Sequence, residues 1–220
     1  MSPLPTVDPL SLLLILAAMS VLPFAAMVVT SYAKIVVVLG LLRNAIGVQQ
    51  VPPNTVLNGI AMILSCYIMA PVLMDARKGL DAGGGDMALT NAQQILRAGE
   101  VASTPFKTFL LKHTPERERR FFARSAEVVW PVERARELRD DDMIVLAPAF
   151  LLGELTAAFR IGFLLYLAFV VVDLVIANVL LAMGLSQVTP TNVAIPFKLL
   201  LFVSLDGWSR LVHGLILTYR

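Results

Sequence analysis

Four apolar runs, each long enough to cross a bilayer, constrain this chain more than any other feature of its sequence. They lie at about residues 10–38, 56–74, 143–185 and 193–217. A helix needs about 20 residues to span a hydrocarbon core. The first run is broken by Pro23 and by the polar Thr30-Ser31-Tyr32 group. The third, about forty residues long, exceeds one crossing and is expected to tilt, break or leave the membrane. Pro148, Gly153 and Gly162 are its expected break points. The predicted class is all-α: long broken helical hairpins of membrane-protein type.

Composition supports that reading. Of the residues, 57% are hydrophobic, the mean hydropathy is +0.76, and only 15% are charged. A soluble domain carries about a quarter of its residues as charges, so the excess apolar surface here must be covered by lipid or partner protein. The charges are also segregated. Residues 75–142 hold 12 Lys/Arg and 12 Asp/Glu, leaving 6 basic and 4 acidic residues elsewhere. The balanced insert offers no electrostatic footprint for nucleic acid.

This divides the chain into three stretches: 1–75 with two apolar runs joined by a Pro-Pro link, 76–142 as a small polar helical insert, and 143–220 as a long helical hairpin. Pro53 disfavours helical geometry at Pro52, so the second helix is expected to start after it, capped by Asn54 or Thr55. Ala82-Gly83-Gly84-Gly85 opens the insert as a flexible stretch. Residues 91–111 and 115–139 predict two or three short amphipathic helices. Lys34 and Arg43 flank the first link with no acid nearby, which makes that link cytoplasmic and puts the insert on the opposite side. Lys34 is also the first basic residue, so no positive n-region precedes the apolar start, and the N-terminal run is expected to be retained.

Chemistry is hard to place on these residues. His113 and His213 lie far apart, Gly83-Gly84-Gly85 lacks the following Lys-Ser/Thr of a phosphate loop, and Ser186 lies in no nucleophile motif. Cys66 stands alone in an apolar run and reads as a small buried hydrophobe. The expectation is no enzyme, no metal and no cofactor. The informative residues are charges inside apolar runs: Glu154, Arg160, Asp173, Lys198 and Asp206. Such charges face a protein interior or aqueous cavity and find partners, or else sit at an interface and snorkel, as is expected of Arg210 and Arg220. If the last two runs form a hairpin turning near Thr189 or Pro190, Asp173 and Asp206 lie level. Glu154 then lies on the order of 40 Å from the level of Lys198, at ~1.5 Å per residue. Glu154 and Lys198 could pair only if the third run folds back or a second copy supplies the partner.

Four blocks carry a family resemblance. They are Thr30-Ser31-Tyr32-Ala33-Lys34-Ile35 through Arg43, Gly47, Gln49-Gln50 and Pro52-Pro53-Asn54; Pro148-Ala149-Phe150 with Glu154-Leu155 and Ala158 to Phe163; Asp173 to Asn178; and Ile195-Pro196-Phe197-Lys198 through Phe202 to Asp206-Gly207-Trp208. The sequence resembles the SctR/FliP family, the core export-gate subunit of type III secretion systems. The resemblance implies a homopentamer. It would assemble with four copies of a small two-helix subunit and one larger single-copy subunit into a helical cone. That cone would sit at the bacterial inner membrane, raised largely towards the periplasm, touching lipid less than neighbouring subunits, with the insert on the periplasmic side. Secreted unfolded polypeptides would pass through its channel. Glu154 and Lys198 would then form a salt bridge between neighbouring copies, with Arg160, Asp173 and Asp206 as further buried charges.

The family often places a methionine run after the Ala-Met-Gly of the third run. Here Ala182-Met183-Gly184 is followed by Leu185-Ser186-Gln187, which leaves Met183 as the soft thioether and implies a stiffer closure. Met183, Leu185 and Gln187 are the expected pore constriction. An extended tip would point Leu185 and Gln187 to one side and Ser186 to the other. Residues 184–198 read more like injectisome than flagellar members. The competing expectation is a self-contained transporter or channel with an ion site built from Glu154, Arg160 and Asp173; it would work alone, whereas a gate subunit needs its partners.

Overall fold

A computed structural model describes residues 9–82 and 92–220, all of whose regular elements are helices. In chain order they are α1 (Pro9–Val29), α2 (Tyr32–Ile46), α3 (Asn54–Ala82), α4 (Ala92–His113), α5 (Glu116–Val129), α6 (Val132–Glu137), α7 (Met143–Ala182), α8 (Pro190–Ser204) and α9 (Gly207–Leu217). The glycine stretch expected to open the insert lies outside the described residues. Three helices, α1, α3 and α7, are long and apolar enough to cross a membrane, and α8 with α9 makes a fourth if that bent pair is one span. The all-α, membrane-type expectation is borne out. The chain forms two compact units: residues 1–31 with 69–153, and residues 32–68 with 154–220.

In the first unit α1 packs on α4. Ser11 is the buried residue of α1, while Leu13, Leu16, Met19, Leu22 and Phe24 are exposed. A helix that hides a hydroxyl and shows its leucines is suited to an apolar surrounding. Pro23 lies inside α1 and does not break it; the helix ends instead at Thr30 and Ser31. The described residues of the insert are mostly helical, as its composition predicts. α4 buries Phe109 and Leu110, and Phe109 meets Phe150 of α7 edge-on at 5.8 Å between ring centroids. α5 carries Glu116 and Glu118 in its first turn, where acidic groups complement the helix dipole. Lys107 of α4 reaches Asp141, just before α7, at 3.0 Å.

The second unit is organised round α2. Its buried residues, Lys34, Ile35, Val38, Leu39, Leu42, Ala45 and Ile46, recur at helical spacing and form one broad internal face. Leu57 and Ala61 of α3, Ala158 of α7 and Leu215 of α9 close one cluster over it; Phe169 of α7 and Phe202 of α8 close another.

The breaks expected in the third run do not occur. α7 runs 40 residues without interruption through Pro148, Gly153 and Gly162, about 60 Å at 1.5 Å per residue. Its glycines serve close packing rather than a break. A Cβ on Gly162 would lie 2.2 Å from Leu41 Cδ1 of α2, and one on Gly153 would lie 2.9 Å from Pro115 Cδ. The fourth run, by contrast, is broken. α8 and α9 meet at 63°, with Asp206 in the left-handed region at φ 53°. Gly207 permits the turn, because a Cβ there would lie 2.3 Å from the Phe202 ring. The helix after the Pro-Pro link starts at Asn54, but neither Asn54 nor Thr55 caps it. The Pro53 carbonyl accepts the first bonds, from Val56 and Leu57, and Asn54 Oδ1 accepts from Arg43 instead, at 2.8 Å.

Candidate functional site

The charges expected inside apolar runs lie in the second unit, where α2, α7, α8 and the chain end hold three of them, Glu154, Asp173 and Lys198, in two ion pairs. Glu154, one turn past Phe150 on α7, is buried, and Lys34 of α2 is buried against it with Nζ 3.1 Å from Oε1. The Tyr219 hydroxyl donates to the other carboxylate oxygen, Oε2. Lys34 Nζ also lies 3.7 Å from the centroid of the Tyr219 ring, within reach of a cation–π attraction. Burial, with the Glu154 carboxylate beside it, holds the Tyr219 phenol protonated far above its ordinary range, so the ring end is a donor. Three groups from three elements thus satisfy one another: a cation, a carboxylate and a phenol.

The second pair lies farther along α7. Lys198 of α8 is buried, and its Nζ donates to Asp173 Oδ2 at 2.6 Å and to the Ala45 carbonyl at 3.2 Å. Ala45 is in the last turn of α2, whose carbonyls lack helical partners. Lys198 therefore also caps α2 with a positive charge where the dipole favours one. A third contact pins the link between α2 and α3: Arg43 Nη1 donates to the Pro52 carbonyl at 3.2 Å as well as to Asn54.

Among the described residues, Glu154 and Lys198 do not pair with each other in the chain; each has another partner. The step from a stranded Glu154 to a second copy rests on the hairpin of α7 with the last run, and α2 supplies the partner that hairpin lacks. Asp173 is half-buried as expected of a partnered charge, but Arg160 and Asp206 are exposed in the single chain. Glu154, Arg160 and Asp173 do not converge on one ion site. Glu154 and Asp173 are 19 residues apart on one helix, about 28 Å, each neutralised by its own lysine. Sequence reasoning misses Lys34 and Tyr219. Lys34 carries a signal, a charge inside the first apolar run, but by sequence it serves only as a marker of orientation. Tyr219, a single aromatic at the chain end, carries none.

Met183, Leu185 and Gln187 are all exposed in the link between α7 and α8. The link is not an extended tip. Gly184 takes φ 73°, the Leu185 N–H donates to the Leu180 carbonyl and the Gly184 N–H to the Leu181 carbonyl, both at 3.0 Å. That is the glycine-terminated helix end with paired back-bonds, followed by a turn in which Val188 N–H donates to the Leu185 carbonyl. The alternation of Leu185 and Gln187 about an extended strand therefore does not apply. Both side chains are presented from a coiled turn.

The sequence model of the FliP family matches residues 15–215, which takes in both ion pairs and the exposed link. The chain belongs to the FliP family. The resemblance drawn from the four residue blocks is thereby borne out. This FliP-family chain is similar over nearly its whole length to named relatives. It is 65% identical over 214 residues to the Hypersensitivity response secretion protein HrcR of Ralstonia nicotianae, covering 96% of this chain and 97% of the relative. It is 46% identical over 212 residues to the Yop proteins translocation protein R of Yersinia pestis, with 96% and 97% covered. It is 38% identical over 215 residues to the Virulence protein YscR of Salmonella typhimurium, again with 96% and 97% covered.

Proposed function

We propose that the chain is a structural, pore-forming subunit of a type III secretion export gate of the injectisome branch, through which unfolded polypeptides cross the bacterial inner membrane. The family match over residues 15–215 carries this reading, and the relatives' names speak of secretion, translocation and virulence. The surface of the chain supports it. α7 exposes Phe159, Phe163, Leu164, Leu167, Val171, Leu174 and Val175, and α8 exposes Phe197, Leu200 and Val203. Apolar faces of that extent need lipid or neighbouring subunits. The gate would hold five copies of this chain with the small two-helix and larger single-copy subunits, raised towards the periplasm with the insert on that side. Extraction in mild detergent and native mass measurement tests it: the chain should leave the membrane as a homo-oligomer with those subunits, and recovery as a working monomer would overturn the reading.

The exposed turn of Met183, Leu185 and Gln187 is the proposed constriction, where five copies would bring five tips together. Leu185→Gly with Gln187→Gly should let small ions leak through an intact assembly; unchanged conductance would place the constriction elsewhere. A pairing of Glu154 with Lys198 of a neighbouring copy would have to share or replace Lys34 and Asp173. Charge reversal at both positions, Glu154→Lys with Lys198→Glu, should restore assembly relative to either single change if that exchange occurs.

A further inference from the structure

The second unit has an apolar groove of about 470 Å³ bordered by α7, α8 and α9, a volume in the range of sites that hold small organic ligands. Ile161, Leu165 and Ala168 of α7, Leu201 of α8 and Leu211 of α9 line it, and Gly214 opens it further. An added Cβ at Gly214 would meet nothing within 4 Å. Apart from Thr218, whose hydroxyl donates to the Leu215 carbonyl at 2.7 Å, the one polar side chain at this lining is a cation, Arg210. Among the described residues its guanidinium has no ion pair. Asp206 lies one turn before it and meets it only through the backbone, its carbonyl accepting from the Arg210 N–H at 3.1 Å. A second, larger groove between α7 and α8 is lined by apolar residues and Ser204, with no charge, and nothing there says what covers it.

Arg210 lies on α9, which with α8 is long and apolar enough to count as one bent span. An arginine on such a span needs an anion, and a basic group at an apolar cleft between such helices is a seat for a lipid head group. We propose that this groove binds a phospholipid, with an acyl chain along Leu165, Ala168 and Leu211 and the head-group phosphate on Arg210. The site rests on the membrane location of the chain, which α1, α3 and α7 support by length and hydropathy. The guanidinium offers paired donors to phosphate oxygens, and the acyl chain covers apolar side chains that the single chain leaves open. A zwitterionic lipid leaves its own cation near Arg210, so an anionic phospholipid is the preferred occupant.

The test uses the full chain in its extracted complex, exchanged into nanodiscs of phosphatidylcholine with a minor fraction of phosphatidylglycerol, and reads the lipids retained by native mass spectrometry. Wild type should keep phosphatidylglycerol in excess over its share of the disc. Arg210→Gln should reduce that preference roughly five- to tenfold, while Arg210→Lys should keep most of it. Gly214→Leu should fill the groove and reduce retention of both lipids. Equal retention in wild type, Arg210→Gln and Gly214→Leu would overturn the proposal. If Gly214→Leu instead changes the number of copies in the complex while lipid retention holds, a second copy occupies the groove and the lipid assignment falls. Failure of the chain to fractionate with membranes would overturn the membrane location itself, a separate result.

Discussion

The two units use charge in opposite ways. In the first, the ion pairs are open or partly open to water. Arg77 and Asp81 are i,i+4 neighbours on α3 with side chains 85% and 74% exposed, and Lys78 meets Asp75 with similar freedom. In the second, Lys34 and Glu154 meet with side chains only 4% and 6% exposed, from helices far apart in sequence. Water screens the first kind of pair and competes with it, so it contributes little. The second kind was taken out of water at a high desolvation cost, so removing one member leaves a charge without compensation. Pairs of a basic and an acidic side chain thus decorate one unit and lock the other.

The largest expected effect comes from breaking that lock. Glu154→Ala or Lys34→Ala should cost about 3–5 kcal/mol, seen as loss of folded, extractable complex and a large fall in its melting temperature. Replacing both by apolar residues, Lys34→Met with Glu154→Leu, should recover most of the loss. If the double variant is as unstable as the singles, the cost lies in packing and not in the stranded charge.

Lys198 gives an intermediate case, because its partner Asp173 keeps a side chain 41% exposed. Lys198→Met should therefore cost less, roughly 1–3 kcal/mol for the lost charged hydrogen bonds, and should loosen the last turn of α2. Hydrogen exchange at the amides of residues 43–46 checks this, since faster exchange there and not at the start of α2 is expected. Packing without charge supplies a control in the same unit. Gly162→Ala places a methyl among the Leu41 side-chain atoms, at 2.2–3.1 Å, and should cost roughly 1–3 kcal/mol with no dependence on salt or pH. A neutral Gly162→Ala would mean that α2 and α7 can separate locally.

The smallest effects belong to the first unit. Arg77→Ala should change stability by about 0.5 kcal/mol or less, and high salt should abolish even that. Asp141 sharpens the contrast. The hydrogen bond from Lys107, aided by the charges of Lys107 and Arg139, holds its carboxyl below the ordinary carboxylate range. Its folded-state value is depressed, so its stabilisation is present above the unfolded value and is lost as pH falls through the folded one. Acid titration followed by exchange in α4 should show a small step below the usual carboxylate range. Asp141→Asn should remove the step.

Much of the fold is legible in the order of residues. The apolar runs mark α1, α3, α7 and the α8–α9 pair, because span length and composition are local properties. The insert reads as helices for the same reason. The charges in apolar runs point to partnered sites, and two of them, Glu154 and Lys198, are buried in ion pairs. Partners and breaks are where local reasoning fails. Gly162 resembles a hinge because glycine weakens an isolated helix, whereas here it makes room for Leu41. Residues 193–217 look continuous because nothing in their hydropathy marks the left-handed turn at Asp206.

By itself, then, the sequence determined that this chain is helical, that most of it avoids water, that its charges are gathered in one insert, and which family blocks it carries. Tertiary structure alone decided that Lys34 and not Lys198 neutralises Glu154, that Tyr219 closes over them, and that Lys198 serves both Asp173 and the end of α2. Helix formation and water avoidance depend on neighbours within a few turns. The partner of a buried charge depends on which helix is packed alongside, and here those partners come from residues 120, 65 and 25 positions away.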